Sequence, residues 1–372
     1  MRMITLEQVT KVYPDGTQAV ADVSFEVQKG ELCVLLGPSG CGKTTTMKLI
    51  NRLIPLTGGR IYLDGVDVTT VNENELRRNI GYAIQEIGLF PHMTVGQNIE
   101  TVPVLKGWAK AKRRERSKAL LELVRLDPGE TVDKYPSELS GGQRQRVGLA
   151  RALAADPPTL LMDEPFGAID PITRVELQNE FLKIEQEISK TIVFVTHDIY
   201  EAIKMGDKIV LMKGGRLVQF GTPADLTYRP KDSFVEDFIG ADRALKGLQL
   251  IRVREVMNSS PPVVRTDETV EQATALIKEG DTEVVAVVDA SGKFIGWVGE
   301  AEAKKEGTAG EVAVPSKMVT GENTVLNEAL SMMLSSGAMT LAVVDKGNRL
   351  RGVLSFDDIR RGLSEASESQ PQ

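Results

Sequence analysis

The sequence predicts an α/β domain with a largely parallel sheet, followed by a smaller α+β module that contains a repeat. Three observations support this prediction. Short apolar runs alternate with helical patterns over the first 240 residues, a glycine-rich loop follows one of these runs, and a C-terminal segment recurs at a spacing of about 55 residues. A chain of 372 residues is also longer than one average domain, so at least two folding units are expected.

The composition is typical of an ordinary globular, intracellular protein, with 41% hydrophobic and 26% charged residues. The net charge of −7 gives no basic bias, so we expect no nucleic-acid partner. Two cysteines exclude a disulfide scaffold and fit a reducing compartment. No apolar run reaches the roughly 18 residues of a membrane-spanning helix, and the first residues lack the apolar stretch of a signal peptide.

Apolar runs predict buried strands of the parallel sheet, at residues 31–36, 159–162, 191–195 and 208–212. Helical patterns follow three of these strands, after Gly42, Asp170 and Asp198. Residues 110–126 predict an amphipathic helix with a cluster of Lys and Arg at its start. Because the whole chain is acidic, we interpret this segment as a solvated helix and not as a nucleic-acid contact.

The end of the first strand carries a phosphate-binding loop. Residues 37–44 match the pattern G-x-x-x-x-G-K-[ST] at every fixed position, between a predicted strand and a predicted helix. Backbone N–H groups of such a loop face the phosphates, and the helix N-terminus adds positive potential. We expect ATP here, with Lys43 on its β- and γ-phosphates and the Thr44 hydroxyl on Mg²⁺. The predicted phosphate-site residues are Gly37, Pro38, Ser39, Gly40, Cys41, Gly42, Lys43, Thr44 and Thr45.

Two other strands end in polar side chains. Asp163 and Glu164 close the strand at 159–162, and His197 follows the strand at 191–195. Carboxyl ends of parallel strands open at one crevice, so these residues are expected beside the phosphate loop. Asp163 suits coordination of Mg²⁺, Glu164 suits polarisation of the attacking water, and His197 suits a hydrogen bond to the γ-phosphate.

Residues 139–143, Leu-Ser-Gly-Gly-Gln, predict a second anion site, in which Ser140 caps a helix N-terminus. One ATP does not need two phosphate cradles, so this second cradle is expected to serve the γ-phosphate held by another copy of the chain. Together with the phosphate loop and the acidic strand end, this motif resembles the ATP-binding subunits of ABC transporters. The resemblance covers residues 1–240.

The resemblance implies roles for further residues. Tyr13 stands where the adenine-stacking aromatic lies, and Gln85 is the glutamine that acts in catalysis and on Mg²⁺. It also implies a head-to-tail homodimer in which two ATP molecules are sandwiched and drive transmembrane permease subunits. Residues 87–93 are expected to touch the permease. The residues implied to reach the ATP of the opposed subunit are Ser140, Gly141, Gly142, Gln143 and Asp170.

Residues 51–54, 87–93 and 234–240 resemble the osmoprotectant branch of that family, which imports glycine betaine, carnitine and choline. This branch implies an extracellular solute-binding protein that acts through the permease, and a position on the cytoplasmic face of a bacterial membrane. An importer for another small solute and a soluble ABC ATPase without a transport role are the alternatives.

The C-terminal repeat resembles a tandem pair of CBS domains, which often bind adenosine-type ligands. Ser355 and Asp358 of the second copy match the ribose and phosphate pattern, whereas Gly299 and Glu302 stand at the aligned positions of the first. Cyclic di-AMP, an adenine nucleotide or ionic strength acting through surface charge could regulate the ATPase through this module. A purely structural dimerisation module is the alternative, because Ser-x-x-Asp is a short motif.

These features predict the organisation of the chain. The predicted segments are an ATP-binding domain with a helical subdomain at 1–240, a linker at 241–252, a first CBS domain at 253–304, a second CBS domain at 316–363 and a disordered tail at 364–372.

Overall fold

The computed structural model describes residues 1–84, 88–167, 169–280 and 282–368. The chain separates into two compact units, Met1–Phe238 and Ile239–Gln372. Within the described ranges, no helix is long and apolar enough to cross a membrane.

The first unit contains two sheets and a set of helices. Its strands are β1 (Arg2–Val12), β2 (Gln18–Gln28), β3 (Leu32–Leu36), β4 (Gly58–Leu63), β5 (Val66–Asp67), β6 (Ile80–Ala83), β7 (Thr159–Asp163), β8 (Thr191–Thr196), β9 (Lys208–Lys213) and β10 (Arg216–Gly221). The helices up to the boundary are α1 (Lys43–Ile50), α2 (Glu73–Arg78), α3 (Val95–Leu105), α4 (Lys110–Leu123), α5 (Pro128–Thr131), α6 (Gly141–Leu153), α7 (Pro171–Ile188), α8 (Ile199–Met205), α9 (Pro223–Tyr228) and α10 (Ser233–Ile239).

The larger sheet has the strand order β10-β9-β3-β8-β7-β6. Its strands run parallel except for β10, which pairs antiparallel with β9. Every residue of β3, β7 and β8 is buried, as expected for strands covered on both faces. The predicted strands and the helices that follow three of them are therefore confirmed. The ends of β3, β8 and β7 lie side by side, and this edge carries the candidate site.

The smaller sheet is antiparallel, in the order β2-β1-β4-β5. A continuous apolar core joins it to one face of the larger sheet. Alternate side chains of the parallel strands contribute to this core, because successive residues of a strand point to opposite faces. On the opposite face, Phe194 packs against Phe166 at 5.8 Å and Phe181 at 6.4 Å between ring centroids. The parallel sheet is thus held between an antiparallel sheet and helices.

The helical subdomain predicted within residues 1–240 is present as α3 to α6. The basic segment forms α4, and its charges are mostly exposed or paired, as in the ion pairs of Arg113 with Glu100 and of Arg116 with Asp156. This arrangement agrees with the prediction of a solvated helix. A short 3-10 helix, Pro136–Glu138, leads into α6.

The second unit consists of two copies of one α+β arrangement. Its strands are β11 (Val263–Arg265), β12 (Val284–Val288), β13 (Phe294–Gly299), β14 (Val314–Pro315), β15 (Val319–Thr320), β16 (Thr340–Val344) and β17 (Leu350–Ser355). Its helices are α11 (Arg243–Gly247), α12 (Val253–Val256), α13 (Val270–Glu279), α14 (Ala309–Val312), α15 (Leu326–Ser336) and α16 (Phe356–Glu368), with a 3-10 turn at Glu302–Lys304. The first strands of each copy pair in parallel, and the next pair is antiparallel.

The two copies exchange their leading segments. Asn258, in the segment of the first copy that leads into β11, pairs with Val353 on β17 of the second. Reciprocally, β14 precedes the second copy and pairs with β13 of the first. Gly296 and Gly352 occupy equivalent positions beneath these crossings. A Cβ at Gly296 would lie 2.3 Å from the Val314 carbonyl oxygen, and one at Gly352 would lie 2.6 Å from that of Asn258. The repeated glycine thus allows the exchanged backbone to approach.

One part of the predicted tail is wrong. Helix α16 continues to Glu368, so residues 364–368 are helical and not disordered. The reason is amphipathic packing, since Leu363 and Ala366 lie against the apolar core of the second copy. Residues 369–372 lie outside the described residues.

We expect Gly352→Ala to destabilise the second unit by about 1–3 kcal/mol, because the added methyl group overlaps a backbone carbonyl that cannot swing aside. Denaturant unfolding followed by tryptophan fluorescence in a Trp108→Phe background, in which Trp297 is the remaining tryptophan, reports on this unit. The control is Gly321→Ala, whose Cβ meets its nearest atom at an ordinary 3.6 Å. Equal stability of the two variants would contradict the crossing as the reason for the glycine.

Candidate nucleotide-binding site

The glycine-rich loop connects β3 to α1, as predicted. Gly37 and Gly42 have φ angles of 148° and 104°, which a residue with a side chain rarely adopts. A Cβ at Gly37 would also lie 2.3 Å from the carbonyl oxygen of Met212, and one at Gly42 would lie 2.4 Å from that of Ala19. Both the backbone conformation and the surrounding chain therefore require glycine at these positions, and the loop stays open toward solvent at Ser39 and Gly40.

Lys43 is 5% exposed and folds under the loop. Its Nζ donates hydrogen bonds to the carbonyl oxygens of Gly37 at 2.6 Å and Pro38 at 3.0 Å. A buried ammonium group at a helix N-terminus gives the loop a concentrated positive potential. Since its acceptors here are neutral carbonyl groups, a phosphate oxygen would be a stronger partner for the same ammonium.

Thr44 and Asp163 meet across the site. The Thr44 hydroxyl donates a hydrogen bond to Asp163 Oδ1 at 3.0 Å, joining α1 to the end of β7. Burial raises the pKa of Asp163, and the bond from Thr44 partly opposes that shift. The neighbouring Tyr82 has a pKa raised to about 12 by its own burial and by the charge of Asp163.

These two side chains fit Mg²⁺, because the ion prefers oxygen ligands and takes few of them from protein. Among the described residues, no group of three or more His, Cys, Asp or Glu side chains could hold a metal ion. A divalent cation held by Thr44 and Asp163 would complete its shell with water and phosphate oxygens.

Glu164 and His197 stand at the ends of neighbouring strands. Nδ1 of His197 lies 3.4 Å from Oε2 of Glu164, and the Glu164 N–H donates to the Val195 carbonyl oxygen at 3.0 Å. Glu164 has a φ of 44°, a left-handed conformation that is strained for a residue with a side chain. This turn lifts its carboxylate out of the strand direction, while His197 stays largely exposed.

The second anion motif starts α6 as predicted. Ser140 Oγ accepts the N–H of Gln143, and the side-chain Oε1 of Gln143 accepts the N–H of Ser140 at 2.9 Å, so the pair forms a capping box. Asp170 caps α7 by accepting the N–H of Thr173 at 3.1 Å, and this bond lowers the pKa of Asp170. Gly141 remains exposed at the helix start. The N-terminus of α6 is therefore available to an anion from outside the chain.

Other predicted residues are placed as follows. Tyr13 lies in the turn between β1 and β2, where the ammonium group of Lys11 is 5.2 Å from its ring centroid. Thr45 lies in the first turn of α1. Gln85 falls outside the described residues, so its predicted role in catalysis and on Mg²⁺ stays a prediction.

The predicted permease-contact loop is organised by a residue that the sequence analysis missed. The buried Asn98 accepts the N–H of Phe90 at 2.7 Å and donates to the carbonyl oxygens of Phe90, Met93 and Thr94. Phe90 itself is 41% exposed at the loop surface. An amide one turn inside an apolar helix could have indicated this role, because it must find several partners when buried.

Burial outweighs the positive groups around the Cys41 thiol. Loop amides and Lys43 could have lowered its pKa, but Sγ is buried beneath the loop and burial raises the pKa instead. Lys43 Nζ lies 3.8 Å away and opposes the shift without reversing it.

In the second unit, Ser355 and Asp358 form a capping box at the start of α16. Asp358 Oδ2 accepts the N–H and the hydroxyl of Ser355, and Oδ1 accepts Arg361 at 2.6 Å. The Asp358 N–H returns a bond to the Ser355 hydroxyl at 3.1 Å. The motif therefore has a structural role whether or not it also contacts a ligand.

Comparisons with known proteins agree with this architecture. The ABC transporter family pattern matches residues 20–167, and the CBS domain pattern matches residues 253–306 and 309–365. Two solved structures are similar to the first unit. A dimeric ATP-binding cassette in a post-hydrolysis state with ADP and phosphate has a TM-score of 0.54 and 34% identity, covering 59% of this chain and 99% of that one. The cbiO1 protein of Clostridium perfringens, part of an ABC transporter complex, has a TM-score of 0.57 and 27% identity, covering 67% and 99%.

Three curated relatives match over nearly their whole length. The glycine betaine/carnitine/choline transport ATP-binding protein OpuCA of Bacillus subtilis (strain 168) is 47% identical over 358 residues, which is 95% of this chain and 94% of the relative. The carnitine transport ATP-binding protein OpuCA of Listeria monocytogenes (strain 10403S) is 43% identical, covering 100% and 96%. The osmoprotectant import ATP-binding protein OsmV of Salmonella typhimurium (strain LT2) is 42% identical, covering 97% and 96%.

The fold and the site thus define a P-loop ATPase of the cassette type. The chain belongs to the ATP-binding subunits of ABC transporters, whose ATPase activity is coupled to transport, and it carries the C-terminal pair of CBS domains predicted from its repeat.

We expect Cys41 in the native chain to react with iodoacetamide at pH 8 at least about tenfold more slowly than in the urea-unfolded chain, because the raised pKa leaves little thiolate. Mass spectrometry of the peptides measures both rates, and the buried Cys33 serves as an internal reference. Rapid labelling of native Cys41 would show that the loop activates the thiol after all.

Proposed function

We propose that this chain hydrolyses ATP to energise import of quaternary-amine osmoprotectants, such as glycine betaine, carnitine or choline, through a membrane permease. The observation that supports this proposal is sequence identity of 42–47% to relatives whose names state such transport. The identity extends along nearly the full length of the chain, including the CBS pair. On this view the chain lies at the cytoplasmic face of a bacterial membrane, and an extracellular solute-binding protein delivers the substrate to the permease.

In this proposal the phosphate loop binds and orients ATP. Lys43 exchanges its carbonyl partners for the β- and γ-phosphates, while the loop amides hold the remaining oxygens. Tyr13 stacks on the adenine. Thr44 and Asp163 would hold Mg²⁺, which when bound neutralises charge on the phosphates. Their mutual hydrogen bond keeps both oxygens directed at one point before any ligand arrives.

Hydrolysis then depends on Glu164 and His197. The strained turn at Glu164 presents its carboxylate to a water molecule that attacks the γ-phosphate and gives up a proton. His197, 3.4 Å from that carboxylate, holds the γ-phosphate oxygen and keeps the geometry in line. Gln85 joins this set by resemblance. The products are ADP and phosphate.

A second copy completes the site. The exposed N-terminus of α6, from Ser140 to Gln143, would face the γ-phosphate bound to the partner, and Asp170 would contact the partner near the same place. The similar cassette solved as a dimer supports this arrangement. Since phosphoryl transfer relies on positioning and charge stabilisation, closure of the dimer switches hydrolysis on. The loop held by Asn98 would transmit closure to the permease.

The CBS pair is proposed as a regulatory module. Its ligand would be cyclic di-AMP or an adenine nucleotide bound near Ser355 and Asp358, and a bound ribose would have to replace hydrogen bonds of the capping box. The first copy lacks the hydroxyl, because Gly299 stands at that position. One nucleotide cleft is therefore proposed for the pair.

We expect Glu164→Gln to retain ATP binding and to lose hydrolysis by about a hundredfold or more, because the amide cannot accept the proton of the attacking water. Size-exclusion chromatography with ATP should show a trapped dimer, and phosphate release measures the loss. The control Glu180→Gln removes a carboxylate that is ion-paired to Arg146 at 2.7 Å outside the strand-end site. Turnover of Glu164→Gln at the rate of the unsubstituted chain would exclude this role.

Vesicles that contain this chain with the permease encoded beside it test the transport function. ATP-dependent uptake of labelled betaine, carnitine or choline is expected, and Glu164→Gln should abolish it. ATP hydrolysis without uptake of any of the three would refute the substrate class while leaving the ATPase intact.

A further inference from the structure

We propose that Glu201 is a positioning residue for His197, and that it links His197 to helix α7 and to the segment ending at Asp170. The proposal rests on the role of His197 in hydrolysis given above. Glu201 lies in the first turn of α8, is 6% exposed and takes no part in the mechanism derived so far. A carboxylate buried this deeply loses its hydration, so it requires hydrogen-bond partners that compensate for the loss.

One carboxylate oxygen of Glu201, Oε2, anchors the backbone on both sides of His197. Oε2 accepts the hydroxyl of Thr196 at 2.6 Å, and that hydroxyl oxygen in turn accepts the N–H of Asp198 at 3.0 Å. Thr196 and Asp198 are the chain neighbours of His197. Asp198 also caps α8 by accepting the N–H of Tyr200 at 2.8 Å. The position of the imidazole relative to the end of β8 is thus fixed through one buried carboxylate.

The other carboxylate oxygen of Glu201, Oε1, bonds to a residue of helix α7. Oε1 accepts the side-chain amide of Gln178 at 3.0 Å, and Gln178, on α7, is itself 6% exposed. Lys204 of α8 donates to the other side of the same amide at 3.4 Å. Because the bonds to Gln178 and Thr196 use different oxygens of one rigid carboxylate, a shift of α7 against β8 must break one bond or carry His197 with it.

Helix α7 extends the connection to the predicted dimer contact. Its N-cap is Asp170, and Arg174 in its first turns donates to the carbonyl oxygen of Ile169 at 2.9 Å. The charge of Arg174 also acts on Glu201 and opposes the rise in its pKa that burial causes. The backbone of α7 therefore connects the segment before it to Gln178, and hydrogen bonds connect Gln178 through Glu201 to the chain at His197. A partner that touches Asp170 can bias the position of His197 along this route.

Glu201→Gln is the informative variant, because it keeps the size of the side chain and removes its charge and one acceptor. We expect kcat for ATP hydrolysis by the full chain to fall about 10- to 100-fold while the KM for ATP changes by less than about threefold, since His197 is displaced but the phosphate loop is intact. In a His197→Ala background, Glu201→Gln should add no further loss. Equal losses in both backgrounds would overturn the proposal.

A readout independent of activity comes from the histidines. The chain contains only His92 and His197, so NMR of ¹³C-labelled histidine gives two signals. Glu201→Gln should shift the signal of His197 and leave that of His92 unchanged. A moved His197 signal with unchanged kcat would preserve the positioning role and refute the role of His197 in hydrolysis. An unmoved signal would refute the positioning role itself.

Matched variants separate positioning from simple loss of stability. Glu185→Gln alters a different carboxylate, which is partly buried and lies on α7. This variant should change neither kcat nor the His197 signal. If Glu201→Gln does not fold, Thr196→Val removes the same hydrogen bond, and Thr196→Ser restores the hydroxyl. Loss of kcat in Thr196→Val with recovery in Thr196→Ser supports the proposal. Equal activity of these two variants refutes it.

Discussion

The parallel pairing of β3, β8 and β7 is the constraint on which the rest of the site depends. Because the three strands run in one direction and in adjacent register, the residues that follow them emerge at one edge. The phosphate loop lies more than a hundred residues before the acidic pair and His197 in the chain, yet all three share this edge. The hydrogen bond from Thr44 to Asp163 is the direct evidence of their convergence. Movement of one strand would separate the phosphate loop from the acidic pair and from His197.

Around this edge, interior polar groups do the positioning. Asn98 shapes the loop that contains Phe90 and Met93, and Glu201 fixes the chain around His197. Both are buried, and each satisfies several backbone or side-chain partners, so each is tolerated in the interior only in one arrangement. Such groups confer a defined geometry that apolar packing alone does not supply. ATP hydrolysis depends on the orientation of the reacting groups, so a fixed geometry around the site favours the reaction.

In the second unit, backbone contacts between the two copies define the geometry. Its two copies are joined by exchanged backbone segments, and Gly296 and Gly352 lie under the two crossings. Phe294 and Ala342 add an apolar contact between the copies. Neither copy therefore has a complete sheet alone, and the pair is the folding unit. The equivalence of the two glycines, visible as a repeat in the sequence, has this steric origin.

Sequence patterns were sufficient to predict the phosphate loop, the buried strands, the capped start of α6 and the repeated module. Each of these depends on local rules, namely glycine conformation, apolar periodicity, capping chemistry and internal similarity. The burial and raised pKa of Cys41, the strained turn at Glu164 and the partners of Glu201 became visible in the folded chain. These features arise from contacts between residues distant in the chain, which no local pattern records. The helical continuation to Glu368 has the same cause. Leu363 and Ala366 pack against the core of the second copy, and this packing holds the polar residues beside them in the helix.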